Sequence, residues 1–144
     1  MKKLIFSFAI FASAFMYSQK NTNVRFAIID DIIGTESLIA EAKNNVKSTK
    51  KFNKGAALPA SMQKYSFLAD NGLTQVALKP ELGTPFDLYP IKSINEQNNL
   101  PIDNPVILEG YEIPSGMTIY SNIIETFEIK DYNGKKTVFI TIRK

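Results

Sequence analysis

Hydrophobic and polar residues alternate most regularly near the end of the chain. Within Ile123–Lys130, Phe127 and Ile129 alternate with charged residues, and within Lys136–Arg143 every second residue from Val138 to Ile142 is apolar; Asn133-Gly134 lies between the two segments. Strict alternation is typical of a half-buried strand, and Asn-Gly favours the tight turn of a two-residue hairpin. The pattern therefore predicts a C-terminal β-hairpin. A run rich in β-branched residues, Val24–Ile29, predicts an earlier strand.

A helical spacing follows the first predicted strand. Thr35 is a suitable N-cap, and Glu36 lies where the helix dipole favours a negative charge. The apolar residues that follow share one helical face: Leu38, Ile39, Ala42 and Val46. We expect one amphipathic helix over residues 35–53.

The middle of the chain predicts a second hairpin and then irregular structure. Asn71-Gly72 separates the alternating residues 65–69 from the run 73–79, which repeats the hairpin signal. Residues 80–114 hold six of the seven prolines, so we expect extended segments and turns there. Within them, Val106–Glu109 predicts a short strand.

These elements predict an α+β fold. We expect a small mixed or antiparallel sheet with one main helix on a face and the C-terminal β-hairpin at the end of the sheet. The predicted core draws on every element: Ile28, Leu38, Val46, Phe67, Val76, Ile107, Phe127, Ile129, Val138, Ile140 and Ile142.

The first residues are typical of a secretory signal peptide. Two lysines at positions 2 and 3 precede the uncharged stretch 4–17, which is short for a membrane span. Cleavage after Ser18 would leave one domain over residues 19–144, and cleavage after Ala14 is the alternative; the rival interpretation is an uncleaved N-terminal anchor. We expect an exported protein, periplasmic, associated with the outer membrane or secreted, with no integral membrane span after cleavage. Export also disfavours a nucleic-acid partner.

Composition argues against most enzymes. The 144 residues include no cysteine and no histidine, which removes thiolate and imidazole chemistry and the commonest metal ligands. We therefore predict no catalytic residue, no metal site and no cofactor. One alternative remains, a hydrolase of the Ser-Lys type, because Ser61 and Lys64 match S-x-x-K and are followed by Tyr120-Ser121-Asn122 and Lys136-Thr137.

A run of lysines offers a third interpretation. Its members are Lys43, Lys47, Lys50, Lys51 and Lys54, and no acidic residue lies between Glu41 and Asp70. Such a cluster could bind lipopolysaccharide or another anionic surface, each lysine contributing about 1 kcal/mol. The alternative is a solvated helix face whose lysines interact favourably with the helix dipole.

The last third of the chain carries three segments in a fixed order. They are Asn104–Ile113 (NPVILEGYEI), Ile123–Asp131 (IIETFEIKD) and, after an Asn-Gly pair, Thr137–Lys144 (TVFITIRK). In this order they resemble the plug domain of TonB-dependent outer-membrane receptors. The residues that carry the resemblance are Asn104, Pro105, Gly110, Glu125, Asp131, Asn133 and Gly134.

The resemblance implies the mixed sheet of a plug rather than transport. The many alternating strands of a receptor barrel do not follow in this sequence, and a pore needs a closed wall. We therefore expect a non-enzymatic, barrel-less, plug-like module of the cell envelope. Its expected partner is another protein, bound through a sheet edge, and its oligomeric state is left open.

Overall fold

Two β-sheets and short helices make up residues 19–144, which are the residues that the computed structural model describes. The fold is a mixed α+β fold, as predicted, and the last two strands form a hairpin. The predicted signal peptide, residues 1–18, lies outside the described residues. None of the helices within residues 19–144 combines the length and apolar character needed to cross a membrane.

Ten strands are distributed over the two sheets within residues 19–144. The larger sheet has the order β3-β4-β1-β2-β8-β5, and the smaller one has the order β7-β6-β10-β9. The strands are β1 (Phe26–Ile29), β2 (Ile32–Thr35), β3 (Val46–Phe52), β4 (Leu73–Leu78), β5 (Leu88–Pro90), β6 (Val106–Leu108), β7 (Tyr111–Ile113), β8 (Thr118–Tyr120), β9 (Ile124–Tyr132) and β10 (Lys135–Ile142). The α-helices are α1 (Glu36–Glu41) and α2 (Ile91–Gln97), and 3₁₀ helices cover Lys43–Asn45, Ala60–Leu68, Pro80–Leu82 and Ser121–Ile123.

Strand β1 is the centre of the larger sheet. All four of its residues are buried, and it pairs antiparallel with β2 and parallel with β4. The hairpin between β1 and β2 turns at Asp30 and Asp31, whose φ angles of 47° and 67° are both left-handed. Aspartate tolerates this region better than most residues do, because its short side chain can hydrogen-bond locally.

The predicted helix over residues 35–53 is wrong beyond its first turns. Thr35 does cap it, accepting a hydrogen bond from the Leu38 N–H, but α1 ends at Glu41. Residues 46–52 instead form β3, which pairs antiparallel with β4. The strand places Phe52 opposite the buried Leu73 and buries its ring, whereas a continued helix would offer few apolar residues after Ala42 to bury.

The predicted hairpin around Asn71-Gly72 is also wrong. Residues Ala60–Leu68 form a 3₁₀ helix, and Met62, Tyr65 and Leu68 are its buried residues. They recur every third position, and side chains three apart eclipse each other in a 3₁₀ helix. Strand β4 pairs with β1 and β3 instead. Gly72 is still needed, since a Cβ there would lie 2.4 Å from the Phe52 carbonyl oxygen.

The C-terminal hairpin is confirmed. Strands β9 and β10 pair antiparallel from Tyr132↔Lys135 onward, and Asn133 and Gly134 have φ angles of 50° and 77°. Strand β10 pairs on its other side with β6, in parallel, at the position of the strand predicted over Val106–Glu109. The smaller sheet is therefore mixed.

One core cluster draws residues from both sheets and is mostly the predicted one. Seven of the expected residues are buried: Ile28, Leu38, Val76, Ile107, Val138, Ile140 and Ile142. Val46 and Phe67 are half-buried against this core. The prediction is wrong for Phe127 and Ile129, which are 43% and 48% exposed. Both lie on β9, one of the two outer strands of the smaller sheet.

Candidate functional site

The two sheets end on four outer strands, and these differ in how well they are protected. Strands β5 and β7 have three residues each, and β5 contains Pro90. Strand β3 carries Lys47, Lys50 and Lys51. Short length, proline and lysine are all common ways to prevent an edge from pairing with another strand. Strand β9 has nine residues, no proline and an apolar exposed pair, so it is the open edge of the described fold.

The apolar face of the smaller sheet continues onto β9 beyond the covered core. Phe127 lies opposite the buried Ile140, and Ile129 lies opposite the buried Val138. The ring of half-buried Tyr89, on β5, packs edge-on against Phe127 at a centroid distance of 6.1 Å. A strand added beside β9 would therefore extend an existing apolar face and lie close to the Tyr89 and Phe127 rings.

The backbone of β9 presents hydrogen-bonding groups at the same residues. The Asn133-Gly134 turn closes on the pair Tyr132↔Lys135, and such a turn joins the two flanking residues by hydrogen bonding. Bonded and non-bonded pairs then alternate along an antiparallel ladder. By this alternation the N–H and C=O groups of Ile129 and Phe127 point away from β10. The exposed side chains and the outward backbone groups therefore belong to the same residues.

The opposite face of β9 is charged. Glu128 and Lys130 lie on that face, and the Lys130 Nζ is 2.6 Å from the Glu128 Oε2. The Lys130 ammonium also lies 5.4 Å from the centre of the Phe139 ring on β10. Strand β9 thus has one face that carries Phe127 and Ile129, with Asp131 at the turn end paired to Lys136 at 3.3 Å, and an opposite face that carries both signs of charge.

A bulge limits the regular part of β9. Thr141 is opposite Thr126, whereas the next residue, Ile142, is opposite Ile124. Glu125 is therefore the extra residue of the bulge, and the regular edge extends from Thr126 to Tyr132. Bulges of this kind are common at sheet edges, where they bend the strand and end its regular pairing.

The residues that carry the predicted resemblance lie in or next to the strands of the smaller sheet. Asn104 and Pro105 precede β6 and Gly110 follows it, Glu125 and Asp131 are on β9, and Asn133-Gly134 form the last turn. Buried Asn104 accepts a hydrogen bond from the Asn95 side chain at its carbonyl and donates one to the Lys136 carbonyl. Its role here is to connect α2, β6 and β10.

Glu109 has a structural role that the sequence did not predict. One of its carboxylate oxygens accepts a hydrogen bond from the Ile142 N–H at 2.8 Å, and the other accepts one from the Asn21 side chain at 3.0 Å. The neighbouring Gly110 has no room for a side chain, since a Cβ would lie 2.1 Å from the Gln19 carbonyl oxygen. This turn therefore fastens the segment that precedes β1 to the smaller sheet.

The five lysines of the predicted anionic-surface site are all exposed, but they are not on one helix. Lys47, Lys50 and Lys51 are on β3, Lys43 is in a 3₁₀ turn, and Lys54 follows the strand. The Lys51 Nζ lies 3.6 Å from a Glu36 carboxylate oxygen. The Lys50 ammonium lies 5.2 Å from the Phe52 ring centre, on the opposite side of the sheet from Glu36 by strand alternation.

Ser61 lines a cleft of about 620 Å³ beside β3, whereas Lys64 does not line it and is engaged elsewhere. Its Nζ donates a hydrogen bond of 2.7 Å to Asp31, which also accepts from the Tyr65 hydroxyl. The hydrogen bond to Asp31 raises the pKa of Lys64, and that of Asp31 is lowered, chiefly by the same bond. A lysine that activates serine needs a lowered pKa, so this geometry disfavours the Ser-Lys mechanism.

Acidic side chains form no obvious metal centre in the part of the chain that the structure describes. No group of three or more of them is placed to hold an ion. Known proteins give no further guide, since no family model, no curated protein and no solved structure matches the chain. The function has to be inferred from the geometry, and β9 is the feature with the clearest chemical consequence.

Proposed function

We propose that this protein is a non-enzymatic, plug-like module of the cell envelope that binds a protein partner by taking an added strand along β9. The observation that carries the proposal is the exposure of Phe127 and Ile129 on a nine-residue edge strand. In such strand addition, main-chain hydrogen bonds supply affinity and alternate side chains supply specificity. Strand β9 offers both at the same residues.

The other three outer strands are less suitable than β9 for the addition of a strand. The lysines of β3 would repel a cationic or a self-like strand, and β5 and β7 offer three residues each. An exposed apolar edge is also a hazard for aggregation, and native proteins usually avoid it. A partner that covers β9 would explain why this edge retains Phe127 and Ile129.

Export and the plug-like assignment complete the proposal. They rest on the N-terminal stretch 1–18 and on the resemblance of residues 101–144, and both support a location in the periplasm or at the outer membrane. An open strand edge is compatible with both locations, because a partner can supply its strand from solution or from a membrane-bound protein.

Photochemical cross-linking in producing cells tests this function. A photoreactive phenylalanine analogue replaces Phe127 in one variant and Leu82 in the control, which is similarly exposed at 54% but lies far along the chain in a 3₁₀ turn. We expect a discrete adduct from position 127 and none of the same mass from position 82. The adduct should disappear when Ile129→Lys is added. Equal adducts from both positions, or none from position 127, would contradict the proposal.

A second candidate function has its own observation, the exposure of all five lysines around β3. Binding to an anionic membrane or to lipopolysaccharide would use Lys43, Lys47, Lys50, Lys51 and Lys54. Co-sedimentation with vesicles of phosphatidylglycerol over a salt series tests it. Binding should weaken as salt rises and should fall in Lys47→Gln/Lys50→Gln. Binding that persists in this variant would argue against the lysines as the contact surface.

A further inference from the structure

Strand β9 is complementary to itself. We propose that the partner strand of this edge is β9 of a second copy of the chain, antiparallel, with the two-fold axis at Ile129. The inference rests on the proposed function, because it names the occupant of the same edge. It would join two four-stranded sheets into one continuous sheet and cover the open edge in both copies.

The backbone fits this arrangement. Ile129, Phe127 and Asp131 are the residues whose N–H and C=O groups point outward by the alternation of the β9–β10 ladder. With the axis at Ile129, Ile129 pairs with Ile129 of the second copy, and Phe127 pairs with Asp131 of the second copy. This gives about six main-chain hydrogen bonds, since each outward pair exchanges two. All of these residues lie within the regular part of β9, clear of the bulge at Glu125.

The charges fit it as well. On the other face, Glu128 lies opposite Lys130 of the second copy, and the two-fold axis repeats the pair. These side chains are already oriented toward each other along one strand, at 2.6 Å. The new pairs fall at non-hydrogen-bonded positions, where facing side chains are closest. Opposite charges at such positions stabilise the pairing of strands.

The apolar contacts survive in the same register. Ile129 meets its own copy at the axis, and Phe127 lies diagonal to Ile129 of the second copy, within reach of an aromatic ring. A competing register centred on Glu128 would pair Phe127 directly with Ile129. That register also sets Glu128 against itself and brings Asp131 against the bulge at Glu125, so charge and backbone both favour the axis at Ile129.

Two charge variants test the register directly. Glu128→Lys and Lys130→Glu should each repel a second copy of themselves, because the first variant sets lysine against lysine across the axis and the second sets glutamate against glutamate. Mixed in equal amounts they should attract each other, since every facing pair is then of opposite sign. We expect sedimentation equilibrium to show wild-type dimers, self-association at least tenfold weaker for each variant alone, and heterodimers of near wild-type affinity in the mixture.

Matched controls keep the test decisive. Glu125→Lys makes the same charge change on the same strand but outside the paired segment, and it should leave the dimer unchanged. Glu128→Gln, which nearly preserves shape, should weaken the dimer in the proposed register and strengthen it in the register centred on Glu128. Thermal melts establish that each variant is folded, and any unfolded variant is replaced by the glutamine form.

The failures of the two proposals are distinguishable. A wild-type protein that stays monomeric at high concentration overturns the dimer, yet cross-linking of a different protein at Phe127 would then still support the proposed function. A wild-type dimer that is unaffected by Glu128→Lys, Lys130→Glu and Ile129→Lys alike overturns the use of β9. A mixture that associates no better than either variant alone overturns the register.

Discussion

The two longest outer strands of the molecule, β3 and β9, solve the same problem in opposite ways. Each ends a sheet and leaves one row of backbone groups unpaired. Strand β3 has three exposed lysines and fixes itself by one buried ring, Phe52. Strand β9 has mixed charges on one face and leaves two apolar side chains, Phe127 and Ile129, uncovered.

The difference shows that the side chains of an edge strand decide whether a second strand can pair with it. Like charges along β3 make a second strand unfavourable there, so its backbone groups are left to water. The mixed charges of β9 repel no partner of matching pattern, and its apolar face gains from being covered. Folding alone does not require this second composition, because two exposed apolar residues contribute little to the monomer.

The largest expected effect is a difference in stability between variants that lose the phenylalanine of β3 and variants that lose the phenylalanine of β9. Phe52→Ala should lower the free energy of unfolding by about 3 kcal/mol, because a buried ring is lost and a cavity remains. Phe127→Ala should cost less than about 1 kcal/mol, since that ring is 43% exposed. Urea unfolding of the two variants, measured at a concentration where the protein is monomeric, provides the comparison.

Equal losses in the two variants would contradict the contrast between the edges. In that case Phe127 would be as important to the monomer as Phe52, and no partner would be needed to explain its presence. The slope of the unfolding curve serves as a control, because it should stay constant if both variants expose the same surface on unfolding.

The next effect comes from removing the charges that protect β3. In an Ile129→Lys background, which closes β9, Lys47→Val/Lys50→Ile should create new self-association worth about 1 kcal/mol for each cross-strand apolar pair formed. Analytical ultracentrifugation measures it. The control, Lys43→Val/Lys54→Ile, removes the same charge outside the strand and should stay monomeric. Monomers in both variants would mean that lysine is not what protects this edge.

The parts of the fold that could be predicted from the sequence are those fixed by local rules. The last hairpin follows from alternation and from Asn133-Gly134, and Thr35 marks the true start of α1. Residues 46–52 could not be assigned in this way. Their conformation is set by the pairing of β3 with β4, which brings Phe52 to Leu73 across 21 positions of sequence, and no local pattern encodes that pairing.

The candidate site was within reach of the sequence only in part. Alternation predicted that Phe127 and Ile129 share a face of their strand, and the structure sets them opposite Ile140 and Val138. It could not tell whether another layer covers that face, because coverage depends on where β5 and Tyr89 lie in the other sheet. A sheet edge is a property of the topology, so exposed apolar residues on an edge strand look like core residues in the sequence.

The smallest expected effect concerns the ion pair between Asp31 and Lys64. It measures how much this charge pair contributes to the stability of the monomer. Asp31→Asn keeps a residue that tolerates the left-handed φ of 67°, removes the charge and leaves one side-chain oxygen to accept a hydrogen bond. Lys64 holds the pKa of Asp31 below its ordinary value of 3.8, so the pair stabilises the fold above that pH. The stabilisation is lost as the pH falls through the lowered pKa, because the folded protein must then take up the proton.

At neutral pH the Asp31→Asn variant should therefore be less stable than the wild type, but only slightly, since both partners of the pair are exposed and such pairs contribute little. The difference should vanish once the pH is well below the lowered pKa, where Asp31 is protonated in the wild type as well. Urea unfolding over a series of acidic pH values measures it. A loss of stability that persists unchanged in acid would mean that Asp31 acts through its hydrogen bonds with Tyr65 rather than through its charge. The charges of this sheet would then affect the pairing of its edge strand β3 with other strands, and not the stability of the monomer.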